Sequence, residues 1–275
     1  MKNGEEVRVD PTEETRLLLR FTLRAALALL IALLFFRTFI AVPYGIPSRS
    51  MAPTIVPGDV LLVNKLPYYI RTPVHIPFTG IEIPYLEIPG TGNLDYGEVV
   101  VFSSPEPGRS GGSSELVKRV VALPGDAVQL TDSGLNVRRR DGSRYHYRGE
   151  LPTQIAPVLQ GGRGVIVPRE GQILRLNGRT AARWSRVLRR EGVEVDYRNN
   201  IVFLNGEPAT RYRFRRDYFM ALGDNRSGSR DSRSFGFIPH NALIGEATFI
   251  LWSRDPQTGD VRWERVGRSE LRMQN

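Results

Sequence analysis

Leu116-Val117-Lys118-Arg119-Val120-Val121-Ala122 reads as a β-strand: aliphatic and β-branched residues dominate it, and Pro124-Gly125 closes it. Five further runs have the same character, Val60–Asn64, Val99–Phe102, Ile201–Leu204, Tyr218–Leu222 and Ala247–Trp252, each bounded by Gly, Pro, Asn or Asp. Asp141-Gly142 and Asn205-Gly206 have the chemistry of hairpin turns. Beyond the N-terminal apolar segment only Arg179–Glu191 suggests a helix. These features predict a mainly β fold: a single N-terminal transmembrane helix, then a β-rich domain with an inserted second lobe over about residues 129–215. Leu66–Asn93, rich in proline and aromatics, and the Gly/Ser-rich Gly108–Ser114 read as smaller insertions.

The same strand poses a question about charge. The chain has 275 residues with 38 Lys+Arg against 29 Asp+Glu, a net charge of +9. Lys2, Lys65 and Lys118 are its only lysines, so 35 of the 38 are arginines. A lysine inside such a chain invites the one thing an amine does and a guanidinium does not, which is to lose its proton. In a strand Lys118 shares a face with Leu116 and Val120, an apolar setting that disfavours the charged form. Arg119 then points to the other face, where it can be solvated or paired.

Composition narrows the chemistry further. There is no cysteine, which excludes a disulfide framework, a thiolate zinc site and a cysteine nucleophile. His75, His146 and His240 have no metal-ligand spacing, so a histidine-rich metal site is not expected, and the sequence implies no metal or cofactor. No nucleic-acid motif is present, and the positive charge reads as attraction to anionic membrane lipid.

Leu17–Val42 is apolar apart from Arg20, Arg24 and Arg37. If Arg24 and Arg37 snorkel to opposite faces, Phe21–Ile40 supplies about the 20 residues a bilayer requires. A cleaved signal peptide would want small residues where Phe39 stands, and a buried soluble helix would rarely carry three arginines. An uncleaved signal anchor is the expectation. Lys2, Arg8, Arg16, Arg20 and Arg24 precede the run, while Arg37 and Arg49 come after it, which predicts residues 1–16 cytoplasmic, 17–42 in the membrane and 43–275 extracytoplasmic.

Four blocks carry the chemistry. They are Ile46-Pro47-Ser48-Arg49-Ser50-Met51-Ala52-Pro53-Thr54; Gly58-Asp59-Val60-Leu61-Leu62-Val63-Asn64-Lys65; Lys118-Arg119-Val120-Val121-Ala122-Leu123-Pro124-Gly125-Asp126; and Gly223-Asp224-Asn225-Arg226, continuing through Ser229, Asp231, Ser232 and Arg233 to Phe235-Gly236. An amide hydrolase needs a nucleophile, a base and a home for the oxyanion. No histidine lies in any block, so a serine here would need another base, and a neutral lysine can serve.

The ordered set, behind an anchor, closely resembles the bacterial type I signal peptidases, membrane-anchored Ser/Lys endopeptidases that cut signal peptides from exported preproteins. The resemblance covers the anchor, residues 43–65, roughly 97–128 and 218–253. It implies Ser50 as nucleophile, Lys118 as general base, and Ser48 completing an oxyanion hole with the Ser50 N–H. It further implies Ser229 orienting the lysine amine, and Asp231 with Arg233 as an ion pair of structural rather than chemical role. Its partners would be secretory preproteins and membrane lipid, with the enzyme a monomer of the bacterial cytoplasmic membrane. The family commonly has Gly where Arg49 and Ala122 stand here.

Plainer readings stand beside these. Lys65 reads as a strand-end charge, Asp59 and Asp126 as turn-formers, and Asp224, Asn225 and Arg226 as loop-holders through side-chain-to-backbone hydrogen bonds. Tyr68, Tyr69, Phe78 and Tyr85 either cover the core or dip into the lipid interface. Two rival functions are a specialised Ser/Lys processing peptidase of a single secretion system and a non-enzymatic membrane-tethered β-domain.

Overall fold

The computed structural model describes residues 11–71, 86–90, 92–106, 114–162, 164–269 and 271. Helix α1 (Pro11–Phe35) passes into a π-helical turn, Phe36–Ile40. Thr15–Ile40 is long and apolar enough to cross a membrane, and none of it is buried in protein. Leucines and phenylalanines cover all sides of α1 and remain exposed, the condition of a helix whose solvent is hydrocarbon. Strand β1 (Ala41–Gly45) begins at the next residue, with no linker.

Next come β2 (Asp59–Asn64), the short β3 (Tyr69–Arg71) and β4 (Glu87–Pro89), which pair with each other, then β5 (Val99–Ser103) and β6 (Glu115–Ala122). The chain then leaves for the lobe. There β7 (Ala127–Thr131), β8 (Gly134–Arg138) and β9 (Arg144–Arg148) form a meander, with Asp141-Gly142 turning β8 into β9 and β10 (Val165–Ile166) on the edge of β7. β11 (Ile173–Arg175) leads into α2 (Gly178–Arg190), which matches the expected helix within a residue at each end. Asn177 caps α2 through a reciprocal pair of hydrogen bonds with Thr180. The lobe continues with β12 (Val195–Arg198), β13 (Ile201–Leu204) and β14 (Glu207–Pro208). Asn205 and Gly206 between the last two hold the left-handed φ values, 50° and 84°, that a tight hairpin turn requires. After β15 (Arg211–Arg213) the chain returns through β16 (Tyr218–Leu222), a short helix α3 (Ser232–Phe235), β17 (Ile238–Pro239) and the long β18 (Leu243–Ser253).

The returning strands complete an antiparallel seven-stranded sheet in the order β1-β2-β18-β5-β6-β16-β17. Its middle is buried on both faces. Val99 and Val101 of β5 point into a core with Met51, Ile55, Leu61 and Val63, while Val100 and Phe102 point into another with Val120, Phe219 and Phe235. A third core joins the lobe to the sheet, packing Trp184 and Leu188 of α2 and Val128 and Leu135 of the meander against Tyr218, Met220 and Leu222 of β16.

The aromatic insertion divides. Phe78 and Tyr85 lie outside the described residues, as does all of Gly108–Ser114 but Ser114. Tyr68 does not reach a lipid interface: it is 3% exposed, sits in the core beside Phe102, and donates to Glu98 at 2.7 Å. Tyr69 is half-buried, its hydroxyl 3.0 Å from His240 Nδ1.

Candidate active site

Ser50 lies on the loop between β1 and β2. The neighbouring side chains Met51 and Ile55, 1% and 0% exposed, root that loop in the core beneath. Two other segments grip its backbone. From one side, the Asn225 N–H donates to the Ser50 carbonyl and Asn225 Nδ2 to the Arg49 carbonyl, both at 3.1 Å. From the other, Arg265 donates to the Thr54 carbonyl at 2.9 Å and Arg262 to the Pro57 carbonyl at 2.7 Å.

Asp59 does more than form a turn. It is fully buried, accepting from the Val56 N–H, from Ser253 Oγ and from both Nε and Nη2 of Arg265. Burial pushes its carboxyl up, but those hydrogen bonds outweigh burial and hold it below the usual range. Asp126 combines the expected turn role, accepting the Leu123 N–H, with bonds from Tyr96 and the Arg140 N–H.

Lys118 comes from β6, 68 residues away in sequence, and its Nζ lies 2.7 Å from Ser50 Oγ. The amine also donates to the Val117 carbonyl at 2.9 Å and, among the described residues, touches no carboxylate. At 2% exposure it has almost no water. Burial brings its pKa down to about 8, against the opposing charges of Asp231 and Asp224. A proton-accepting amine therefore exists near neutral pH, at hydrogen-bond distance from a hydroxyl.

Of the two fates open to Arg119, solvated or paired, the structure shows the second. Its guanidinium is no surface charge: it is 1% exposed and wholly engaged. Nε and Nη2 hold Asp224 in a fork at 2.9 and 2.6 Å, and Nη1 donates to the carbonyls of Gly97 and Leu271. Asp224 is thus an ion-pair partner, whereas Asn225 and Arg226 hold backbone as expected, Arg226 by donating to the Gly223 carbonyl. The partners lie 22 to 152 residues from Arg119 in sequence, so no local pattern could have shown them.

Ser48 Oγ is 3.3 Å from Ser50 Oγ and open to solvent, and among the described residues no acceptor is found for the Ser50 N–H. Asp231 and Arg233 form a buried bidentate pair at 2.9 Å, and Asp231 also accepts the Gly223 N–H. The expected hydrogen bond from Ser229 to the lysine is not made, because the amine is turned toward Ser50 and the Val117 carbonyl. Ser229 Oγ is buried without a partner among the described residues, close over Gly223. A Cβ on Gly223 would stand 2.1 Å from Ser229 Oγ and 2.4 Å from the Ser50 carbonyl oxygen, so only glycine fits between the two loops. Lys65 is more than a strand-end charge: its half-buried amine donates to the Thr38 carbonyl at 2.9 Å, tying β2 to the foot of the apolar helix.

Comparison with known proteins points the same way over most of the chain. Residues 18–252 match the family described as signal peptidase, peptidase S26. Signal peptidase I of Pseudomonas aeruginosa is 31% identical over 256 residues, covering 86% of this chain and 75% of that protein. Signal peptidase I of Helicobacter pylori is 28% identical over 261 residues, covering 84% of this chain and 86% of that protein. A crystal structure of a signal peptidase I from Enterococcus faecalis aligns with 57% of this chain and 97% of that one, at 18% identity and a TM-score of 0.27.

Proposed function

The chain belongs to the signal peptidase family, peptidase S26, and from that premise we propose that it removes signal peptides from exported preproteins, with Ser50 as nucleophile and neutral Lys118 as its base. The observation that carries this reading is the 2.7 Å contact between a buried, carboxylate-free amine and a loop hydroxyl.

The steps build on that contact. The lone pair of the Lys118 amine accepts the Ser50 O–H proton as Oγ attacks the scissile carbonyl. Negative charge gathers on the carbonyl oxygen, where the Ser50 N–H and the Ser48 hydroxyl donate to it. The ammonium of Lys118 then gives its proton to the departing amine, leaving an acyl ester on Ser50. Water, deprotonated by the same amine, releases the signal peptide and restores the serine. The Asp231–Arg233 pair carries no proton. It fixes the loop from Gly223 onward, and with it the Ser50 backbone that Asn225 holds.

The substrate enters as an extended strand. Opposite β5, Leu116–Lys118 of β6 present an edge that is free among the described residues, because β16 pairs with β6 from Ala122 only as far as Arg119. The apolar helix serves as the membrane anchor, with its N-terminus cytoplasmic and the β domain on the far side of a bacterial cytoplasmic membrane. The enzyme acts as a monomer.

Cleavage of a synthetic preprotein by the detergent-solubilised full chain, beside Ser50→Ala and Lys118→Arg, tests the reading. Wild type should cut after a small residue and both variants should be inert yet folded. An active Lys118→Arg enzyme would remove lysine as the base, because a guanidinium stays charged at accessible pH.

A further inference from the structure

Two cavities meet at Gln154 and Arg230. One, of about 440 Å³, lies between Ser229 and Arg230 on one wall and Glu150–Gln154 on the other. The second, of about 550 Å³, shares Gln154 and Arg230 with the first and reaches Arg186, Arg189 and Arg190 of α2. Ser229 adjoins the Ser50 loop across Gly223, so the two together make a trough running from beside that loop toward the lobe.

The direction of a bound chain is set by the sheet. A strand laid on that edge of β6 runs only as far as Lys118, because β16 occupies the edge from Arg119 on, and the Gly223–Arg230 loop follows directly from β16. At the other end of that edge lies a cavity lined by Thr38, Phe39, Tyr44 and Glu115, at the foot of the apolar helix. A signal peptide comes from the bilayer, so its part of the substrate occupies the helix side. The residues C-terminal to the cleavage point cross the trough.

The trough is cationic. Residues 129–215 hold 17 arginines and 8 acidic residues, which is the whole +9 of the chain; elsewhere 21 positive and 21 negative groups balance. Arg186 and Arg230 share one carboxylate, Glu106. Arg189 and Arg49, the latter adjoining Ser50, are exposed and form no ion pair among the described residues.

We propose that the trough receives the first residues of the mature chain and favours acidic side chains there, a specificity that rests on the peptidase reading above. The test uses three synthetic preproteins that differ only in a short block just after the cleavage point, made of alanine, aspartate or lysine. At low salt the full-length enzyme should cleave the aspartate form about tenfold faster than the lysine form, by kcat/KM and chiefly through KM. The ratio should shrink with added salt and collapse in Arg189→Gln/Arg230→Gln. Being a ratio within each variant, it is independent of how much of that variant folds. Equal rates on all three, or a preference that survives the double substitution, would overturn the proposal and leave the peptidase reading intact. No cleavage of any of them would sink both.

Discussion

Lys118 and Arg119 are sequence neighbours on one strand, both buried, and the protein treats them in opposite ways. Arg119 meets a carboxylate and two backbone carbonyls, while Lys118 meets a hydroxyl and one carbonyl. A buried cation with a carboxylate in contact is locked as a charge and becomes architecture. One without is held by so little that the proton is negotiable, and it becomes chemistry. The residue types are matched to these fates, since the guanidinium keeps its proton and the amine can give it up.

The contrast can be tested from its strongest effect downward. Removing either member of the reactive pair, by Ser50→Ala or Lys118→Arg, should cut kcat by about 10⁴-fold or more in single-turnover cleavage, without loss of the folded state. Asp224→Ala strips the carboxylate from Arg119 and should destabilise the protein by about 3–5 kcal/mol in denaturant unfolding. The double variant Arg119→Met/Asp224→Leu should recover most of that loss, since the cost lies in the stranded charge.

Gly223→Ala forces a methyl group between Ser229 and the Ser50 carbonyl. It should lower kcat about 10²-fold with a smaller change in KM, by displacing the nucleophile rather than the binding edge. Finally, cleavage should rise about tenfold per pH unit up to about 8 and level off above it. Stability carries the matching sign. Between about 8 and the ordinary lysine value near 10.4, the unfolded chain binds the proton and the native one does not. Unfolding free energy from this group therefore rises with pH across that window and is flat below it. Lys118→Met should abolish the slope.

Much of this was legible in the sequence because it is local. The anchor is a run of apolar residues, the strands are runs of β-branched ones, and the four blocks hold the serines and the lysine. What escaped depends on the other side of the fold. Alternation along β6 predicts one dry face and leaves Arg119 free to be solvated, yet the strand lies in the middle of a sheet with a core on each side. Asp59 looks like a turn residue because its partner, Arg265, is 206 residues away. Tyr68 looks suited to lipid because nothing nearby in sequence announces Glu98. Ser229 is the reverse case: the resemblance supplies a partner that the geometry does not.

The clasp on the Ser50 loop bears on timing. Thr54 and the Arg265 that grips it are 211 residues apart, and Leu271 closes on Arg119 later still. A polypeptide is made from its N-terminus, so Ser50 leaves the ribosome long before the residues that steady it. A nascent copy thus carries Ser50 before the segments that hold its loop have been made.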